Sequence, residues 1–227
     1  MRLVLQGMDM PIDIHRGTPR VLEVQNHVLF TRIVRSLISG EGEEAFEPYS
    51  LWDEKGEELK AATSLMFVSD PLHLPWDSKA LSGQLFDKIV GLMLEDEERR
   101  IQIEGMGLRL AQDIGGLTHQ INADYSFAVE WGLKQYLKAF SFSVERLEGP
   151  RYLESLISFL DFCADMALKQ VLVFVNLKSF LSENEVIEFY ERVFFHDLSV
   201  FMLETVKDET SYGLEQKTVI DLHFLES

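Results

Sequence analysis

The stretch QVLVFVNLKSFLSENEVIEFY, residues 170–190, joins a short apolar run to a polar break and then to an amphipathic run. The apolar residues 171–175 predict a buried strand, because strands covered on both faces are continuously hydrophobic. Residues 182–185, Ser-Glu-Asn-Glu, match the capping box that begins many helices. Residues 198–203 predict the next strand. Strand, helix and strand in this order predict a βαβ unit with a right-handed parallel crossover.

Apolar runs on both sides extend this unit into a larger sheet. Residues 3–5, 21–24 and 65–70 predict strands, because each run is short, apolar and bounded by turn formers. Helical spacing of apolar residues between the second and third run predicts a helix that ends near Gly40. Residues 218–225 predict a final strand. We therefore predict an α/β fold, an ATP-hydrolase-like head whose sheet contains parallel strands and is built from both chain ends.

The middle of the chain has a different pattern. Apolar residues there recur at helical spacing, which predicts long helices broken near residues 95–100, near Asn122 and near residues 149–150. We therefore predict a helical domain at residues 78–168, inserted into a head domain made of residues 1–77 and 169–227.

Composition narrows the function classes. The 227 residues are 46% hydrophobic, enough for a sizeable core, and 38 acidic against 21 basic side chains give a net charge of −17. A polyanion would therefore need a locally concentrated basic patch. The single cysteine, Cys163, excludes an intramolecular disulfide and fits a reducing compartment. The sequence contains no run of about 18 apolar residues, which a membrane-spanning helix would need. We therefore expect a cytoplasmic protein without membrane partners.

The sequence does not support nucleotide hydrolysis. A phosphate-binding loop needs a glycine followed by Lys and then Ser or Thr, and none of the 14 glycines has that context. The strand of residues 171–175 is followed by Asn176 where a metal-binding hydrolase would place Asp, and neutral Asn does not supply that charge. We therefore expect no nucleotide cofactor. The six histidines show no zinc-binding spacing.

One pattern keeps an enzymatic alternative open. Asp53, Glu58 and Lys60 form a D…E-x-K arrangement, which nucleases use to hold a metal and orient water. The same residues also suit a solvated hairpin that turns at Lys55-Gly56. Both interpretations stay open on the sequence.

Three longer stretches resemble a known family. GTPRVLEVQNHVLFTRIV (17–34), LWDEKGEELKAATSLMFVSDPLHLPWDSKAL (51–81) and VLVFVNLKSFLSENEVIEFYERVFFHDLSVFMLE (171–204) are similar to the short-type Csn adaptation proteins of type II-A CRISPR systems. The last block has the family's apolar strand ending in V-N, followed by F-L-S, a helix and a second strand. The resemblance covers nearly the whole chain, in order, with gaps confined to residues 122–150.

The resemblance implies a non-catalytic function. It implies a head related to ATP-hydrolase heads without nucleotide chemistry, together with a helical arm. Four subunits would form a ring whose positive channel encloses the ends of double-stranded DNA, with calcium ions stabilising the ring. The protein would act in spacer acquisition beside the CRISPR integrase proteins and the effector nuclease. A protein-binding adaptor without DNA contact remains a further alternative to the clamp.

The resemblance also indicates candidate site residues. Lys138 and Lys169 stand where the family has channel lysines, and Lys134 and Lys178 are added because they lie nearby in the sequence. A solvated surface role is equally open for each of these four lysines. In the family, calcium is held by a glutamate-rich stretch of the helical arm. The corresponding segment here is about six residues shorter and keeps Asp124 and Glu130, so carbonyls, water or other subunits would have to complete the shell of about six to eight oxygens.

Overall fold

The computed structural model describes residues 1–120, 122, 131–145 and 151–222. The chain divides into two compact units, which we call the sheet unit (Met1–Pro75 and Arg146–Ser227) and the helical unit (Trp76–Glu145). The strands are β1 (Arg2–Leu5), β2 (Ile12–Asp13), β3 (Arg20–Val24), β4 (Tyr49–Trp52), β5 (Leu65–Val68), β6 (Val171–Val175), β7 (Val200–Glu204) and β8 (Gln216–Ile220). The helices are α1 (His27–Ser39), α2 (Ala61–Ser64), α3 (Lys79–Glu95), α4 (Glu97–Leu117), α5 (Leu133–Ala139), α6 (Tyr152–Asp165) and α7 (Glu183–Phe195).

The sheet unit is built on a five-stranded parallel sheet with the order β5-β6-β7-β3-β8. The predicted βαβ unit is confirmed, since β6 and β7 pair in parallel and α7 connects them. The capping box is also present: the backbone N–H and hydroxyl of Ser182 donate to Glu185 Oε2 at 2.8 and 2.7 Å. The predicted end of α1 is confirmed at Gly40, which takes a left-handed conformation with φ 72°.

A second, antiparallel sheet with the order β2-β1-β4 was not predicted. The strand predicted at residues 3–5 is β1, and it lies in this antiparallel sheet instead of the parallel one. Alternate residues of β1, Leu3 and Leu5, are buried, and they join one hydrophobic cluster with Phe30 and Ile33 of α1 and Leu203 of β7. The small sheet and α1 therefore cover the same face of the large sheet.

Helices α6 and α7 pack on apolar residues of the sheet unit and on each other. Phe174 of β6 meets Phe189 of α7 edge to face, with ring centroids 5.6 Å apart. Arg192 and His196 at the end of α7 contact Asp161 of α6 at 2.8 and 2.6 Å. Cys163 on α6 is fully buried, and burial raises the pKa of its thiol. Since α6 packs with the sheet unit, the observed boundaries differ from the predicted helical domain of residues 78–168.

The helical unit contains α3, α4 and α5. The predicted break between its long helices lies at Asp96, which ends α3 and caps α4 by accepting a hydrogen bond from the N–H of Arg99 at 3.0 Å. The indole of Trp131 packs directly over Gly107 of α4 and lies 5.3 Å from the ring of Tyr136. In the described part of the chain, no helix is long and apolar enough to cross a membrane.

Because Trp131 packs against Gly107 and not against Gly105, a Gly→Ala substitution should have opposite effects on stability at these two positions of α4. A Cβ at Gly107 would overlap the Trp131 indole, whereas a Cβ at Gly105 would meet no atom within 4 Å. We expect Gly107→Ala to destabilise the protein by about 1–3 kcal/mol, because the indole must move. Gly105→Ala should stabilise it by about 0.5–1 kcal/mol through helix propensity. Thermal melts of both variants test this, and equal shifts would contradict the packing.

Candidate functional site at the carboxyl edge of the parallel sheet

Open parallel sheets bind ligands outside the carboxyl ends of their strands. In this chain the connection from β3 to α1 contains only Gln25 and Asn26. The side chain of Asn26 accepts hydrogen bonds from the N–H groups of Val28 and Leu29 at 3.0 and 3.1 Å. These are amides that a helix N-terminus would offer to a phosphate. The chain therefore caps this helix itself and has no glycine-rich loop there.

Asn176, which follows β6, has a structural role at the same edge. It takes a left-handed backbone conformation with φ 54°, which Asn tolerates better than most residues. Its Oδ1 accepts hydrogen bonds from the backbone N–H and hydroxyl of Thr205 at 2.9 and 3.0 Å, and its N–H donates to Leu203 O at 2.8 Å. Asn176 thus joins the end of β6 to the end of β7.

A cluster of buried charges lies beside Asn176. Glu23 of β3 and Glu204 of β7 are 0% and 2% exposed. The Lys178 ammonium lies 3.0 Å from Glu215 Oε2, 3.1 Å from Asp208 Oδ2 and 3.8 Å from Glu23 Oε1. Buried carboxylates require such partners, because removal from water costs several kcal/mol per ion. We call these five residues, together with Lys217, the edge cluster.

Lys217 and two tyrosines fasten the β7–β8 connection, residues 205–215, to the edge cluster. The Lys217 ammonium donates to the carbonyl oxygens of Asp208 and Thr210 at 2.6 and 3.0 Å. The hydroxyl of Tyr190 on α7 donates to Glu215 Oε2 at 2.6 Å. The ring of Tyr212 lies 4.9 Å from the Lys178 ammonium. The connection is therefore held by charge at several points along its length.

Burial sets the protonation of the edge cluster. It raises the pKa of Glu204 to about 7, against the opposing effects of the Lys178 amide and charge. Burial also raises the pKa of Glu23, opposed by Lys217. For Asp208, burial acts upward, but the amide of Thr210 and the Lys178 ammonium outweigh it and lower the pKa. Four carboxyl groups face two ammonium groups, so the edge cluster has no excess of positive groups to offer a phosphate.

The structure separates the four predicted DNA-binding lysines. Lys178 has a side chain only 10% exposed, with its charge compensated by carboxylates of the edge cluster. Lys134 pairs with Asp87. Lys138, in the last turn of α5, and Lys169, before β6, are exposed, and neither has an ion-pair partner within the described residues. Their contact with DNA remains a prediction. The predicted metal ligands Asp124 and Glu130 lie outside the described residues.

The pattern of Asp53, Glu58 and Lys60 contributes to a turn. Asp53 Oδ1 accepts hydrogen bonds from the N–H groups of Lys55 and Glu57, both at 2.8 Å, and a β-bridge joins Trp52 to Glu58. These amides and the Lys55 charge lower the pKa of Asp53. Across residues 1–120, 122, 131–145 and 151–222, no group of three or more His, Cys, Asp or Glu residues is placed to hold a metal ion.

The edge cluster was missed on the sequence, although two signals for it exist. Glu23 interrupts the apolar run VLEV of β3, and Glu204 ends the run VFMLE of β7. A carboxylate in a strand that is otherwise fully buried requires a cationic partner. The ammonium partners of Glu23, Lys178 and Lys217, come from distant parts of the sequence, and Glu204 accepts a hydrogen bond from the backbone N–H of Lys178 at 3.1 Å.

Comparisons with known proteins agree with this fold. The family model described as CRISPR-associated protein (Cas_Csn2) matches residues 44–223. The CRISPR-associated protein Csn2 of Enterococcus faecalis is 22% identical over 220 residues, which cover 95% of this chain and 96% of that protein. The crystal structure of Stu0660 of Streptococcus thermophilus has a TM-score of 0.64 at 16% identity, with 97% of this chain and 75% of that chain covered, so the fold is the same.

The chain is therefore a mixed α/β protein, and the family model places it in the CRISPR-associated class. Within that class, the chain belongs to the Csn2 family of type II-A CRISPR systems, whose role is in adaptation. This confirms the resemblance that residues 17–34, 51–81 and 171–204 indicated.

The raised pKa of Glu204 predicts a pH-dependent stability. A carboxyl group with a raised folded pKa contributes stability below its ordinary pKa of 4.5, and this contribution is lost as pH rises through about 7. We expect Glu204→Gln to remove this contribution, which amounts to at most about 3 kcal/mol in the free energy of unfolding. Denaturant unfolding at a series of pH values measures it. Glu188→Gln, on the exposed face of α7, is the control and should leave the profile unchanged.

Proposed function

We propose that this chain is a non-catalytic clamp, four copies of which form a ring around the ends of double-stranded DNA during spacer acquisition. The observation that carries the proposal is membership of the Csn2 family, to which a matching family model assigns residues 44–223. The edge of the sheet supports the non-catalytic part. The β3–α1 connection has no phosphate-binding loop, and the edge cluster fills the place of a ligand with the chain's own charged side chains.

The charge distribution supports a local DNA contact. At −17 per chain, an uncompensated acidic surface repels phosphates, so binding requires positive groups that are not neutralised by nearby carboxylates. Lys138 and Lys169 are exposed and have no ion-pair partner among the described residues, whereas Lys134 and Lys178 are paired with carboxylates. A symmetric ring repeats Lys138 and Lys169 once per copy, which multiplies the positive charge that faces the phosphates. We therefore assign the main phosphate contacts to Lys138 and Lys169.

Calcium is part of the proposal as a stabiliser of the ring. Asp124 and Glu130 would supply carboxylate oxygens, the ligand type that calcium prefers. Two carboxylates provide only part of a shell of about six to eight oxygens, so backbone carbonyls, water or neighbouring copies would supply the rest. The proposed partners are DNA ends, the CRISPR integrase proteins and the effector nuclease, all in the cytoplasm.

Nuclease activity is less well supported than the clamp. Asp53 already accepts two backbone hydrogen bonds within its own turn, and this is the ordinary role of Asp at that position. The adaptor alternative, without DNA contact, differs from the clamp in a measurable way. Phosphate contacts make affinity fall steeply with salt, whereas an adaptor shows no DNA binding at any salt concentration.

A mobility-shift comparison of linear and covalently closed circular duplex of one sequence, at fixed salt with calcium present, tests threading over DNA ends. We expect binding to the linear form alone, because a closed ring has no route onto a circle. Equal binding to both forms would show an open, side-on surface and reject the ring. Binding to neither form would favour the adaptor.

Substitution of Lys138 and Lys169 tests the proposed phosphate contacts. Lys138→Gln and Lys169→Gln should each weaken binding to linear duplex at every sequence. Each should also reduce the slope of log affinity against log salt by about one for every phosphate that the lysine neutralises. Lys55→Gln, in the exposed turn of the sheet unit, is the control and should leave the slope unchanged. An unchanged slope in the double variant would remove these lysines from the interface.

A further inference from the structure

Helix α7 exposes large apolar side chains that its own packing does not use. Four residues of its inner face are no more than 2% exposed: Val186, Phe189, Tyr190 and Val193. On its outer side, Ile187, Phe194 and Phe195 are 43%, 63% and 74% exposed. The inner face already holds α7 on the sheet unit, so these outer side chains are available to a partner. Apolar side chains grouped on an exposed face normally indicate an interface.

Acidic and apolar residues alternate along one line of α7. Glu183, Ile187, Glu191 and Phe194 follow one another at intervals of four, four and three residues, so they lie along one side of the helix. We call these four residues the α7 line. A partner that covers the line therefore meets a carboxylate next to each apolar side chain.

The negative charge of this face is not compensated. Glu183, Glu188 and Glu191 are exposed, and none of them forms an ion pair within the described part of the chain. Arg192, the basic residue of α7, points towards α6 instead, where its Nε lies 2.8 Å from Asp161 Oδ1. Three carboxylates thus remain for a cationic partner, because complementary charge guides association and selects the partner.

A shallow cavity adjoins the first half of the α7 line. It lies between α7 and residues 210–214 of the β7–β8 connection and has a volume of about 260 Å³. Ile187, Tyr212 and Leu214 give it an apolar lining, and Glu183 lies at the same cavity. The cavity has room for one large apolar side chain of a partner, beside a carboxylate that can pair with a neighbouring Lys or Arg. Interfaces draw most of their binding energy from such anchor side chains.

We propose that the α7 line binds a basic amphipathic helix of a partner protein. Lys or Arg side chains of that helix meet the three glutamates, and its apolar side chains cover Ile187 and Phe194. Charge argues against the other occupants. A second copy of this face would bring the same three carboxylates, and DNA phosphates would be repelled by them. The inference goes beyond the proposed clamp, because it concerns a face that does not attract DNA.

The first test measures the apolar contacts. The probe is a fluorescent synthetic peptide of Lys and Leu, with Leu at helical spacing, and its anisotropy reports binding to the full chain. Ile187→Ser and Phe194→Ser should each weaken binding about tenfold or more, as truncation of an anchor residue does. Circular dichroism checks that both variants are folded.

Phe46→Ser is the matched control for these substitutions. Phe46 is 71% exposed, and its ring lies 4.6 Å from the guanidinium of Arg32 on α1. Helices α1 and α7 cover opposite faces of the parallel sheet, since Val173 joins the hydrophobic cluster of α1 while the next residue, Phe174, meets α7. Phe46→Ser should therefore leave the affinity for the peptide unchanged.

The second test exchanges the charges. The double variant Glu188→Lys/Glu191→Lys should lose the Lys/Leu peptide and bind a peptide of the same design in which Glu replaces Lys. The control is Glu43→Lys/Glu44→Lys, which changes the net charge by the same amount at exposed residues next to the control site at Phe46. It should keep the peptide preference of the wild type.

The outcomes separate this surface from the alternatives. The proposal is overturned if the control at Glu43 and Glu44 loses the Lys/Leu peptide as the α7 variant does, because net charge alone then explains binding. It is also overturned if neither Ile187→Ser nor Phe194→Ser weakens the peptide.

The same two variants distinguish this surface from a self-contact and from the clamp. Light scattering should show the wild-type mass for Ile187→Ser and Phe194→Ser, and a lower mass would mean that a second copy occupies the face. Their affinity for linear duplex should also equal that of the wild type, and a weaker affinity would assign the face to DNA. If wild-type protein binds no DNA while the peptide results hold, the clamp fails and the α7 surface stands.

Discussion

The ion pairs of Lys178 with Glu23, Asp208 and Glu215 join strand β3 to the β7–β8 connection at the carboxyl edge of the parallel sheet. Three strands and the β7–β8 connection contribute to this edge cluster, and Glu23 and Glu204 have almost no access to water. A charge buried without a partner would cost several kcal/mol, and the ammonium groups of Lys178 and Lys217 supply that partner for Glu23, whereas Glu204 accepts a hydrogen bond from the Lys178 backbone N–H and has its pKa raised to about 7. The position of residues 205–215 therefore depends on the two ammonium groups.

The same ion pairs occupy the edge of the sheet where related parallel sheets bind phosphates. Parallel sheets of this kind bind phosphates where backbone amides and a lysine point into an open crevice. Here the amides at the start of α1 are capped by Asn26, and Lys178 points at carboxylates of its own chain. The parallel sheet and its crossover helix are present, but the amides and the ammonium group that could bind a ligand contact side chains of the same chain. The family to which the chain belongs has its role in CRISPR adaptation.

The helical unit shows the opposite arrangement. The buried side chains of its helices come from α3 and α5 (Leu81, Phe86, Met93 and Leu137), and Trp131 packs over Gly107 of α4, while α4 leaves large apolar side chains exposed. Such a helix gains little from its own unit, because hydrophobic stabilisation is proportional to the apolar area removed from water. Helix α4 therefore leaves apolar surface exposed to solvent.

Local patterns in the sequence were enough to predict the strand of residues 171–175, the capping box at Ser182 and the end of α1 at Gly40. They were also enough to identify the family. These features depend on residues close together in the chain, and neighbours in sequence remain neighbours in the fold. Tertiary structure alone decided that α6 joins the sheet unit, that β1 pairs in a separate antiparallel sheet, and that Lys178 is an internal counter-ion. Each of these depends on groups that lie far apart in sequence and meet only when the strands are placed side by side. Exposure of Lys138 and Lys169 follows the same rule, because whether a lysine is paired depends on the carboxylates that folding brings within reach.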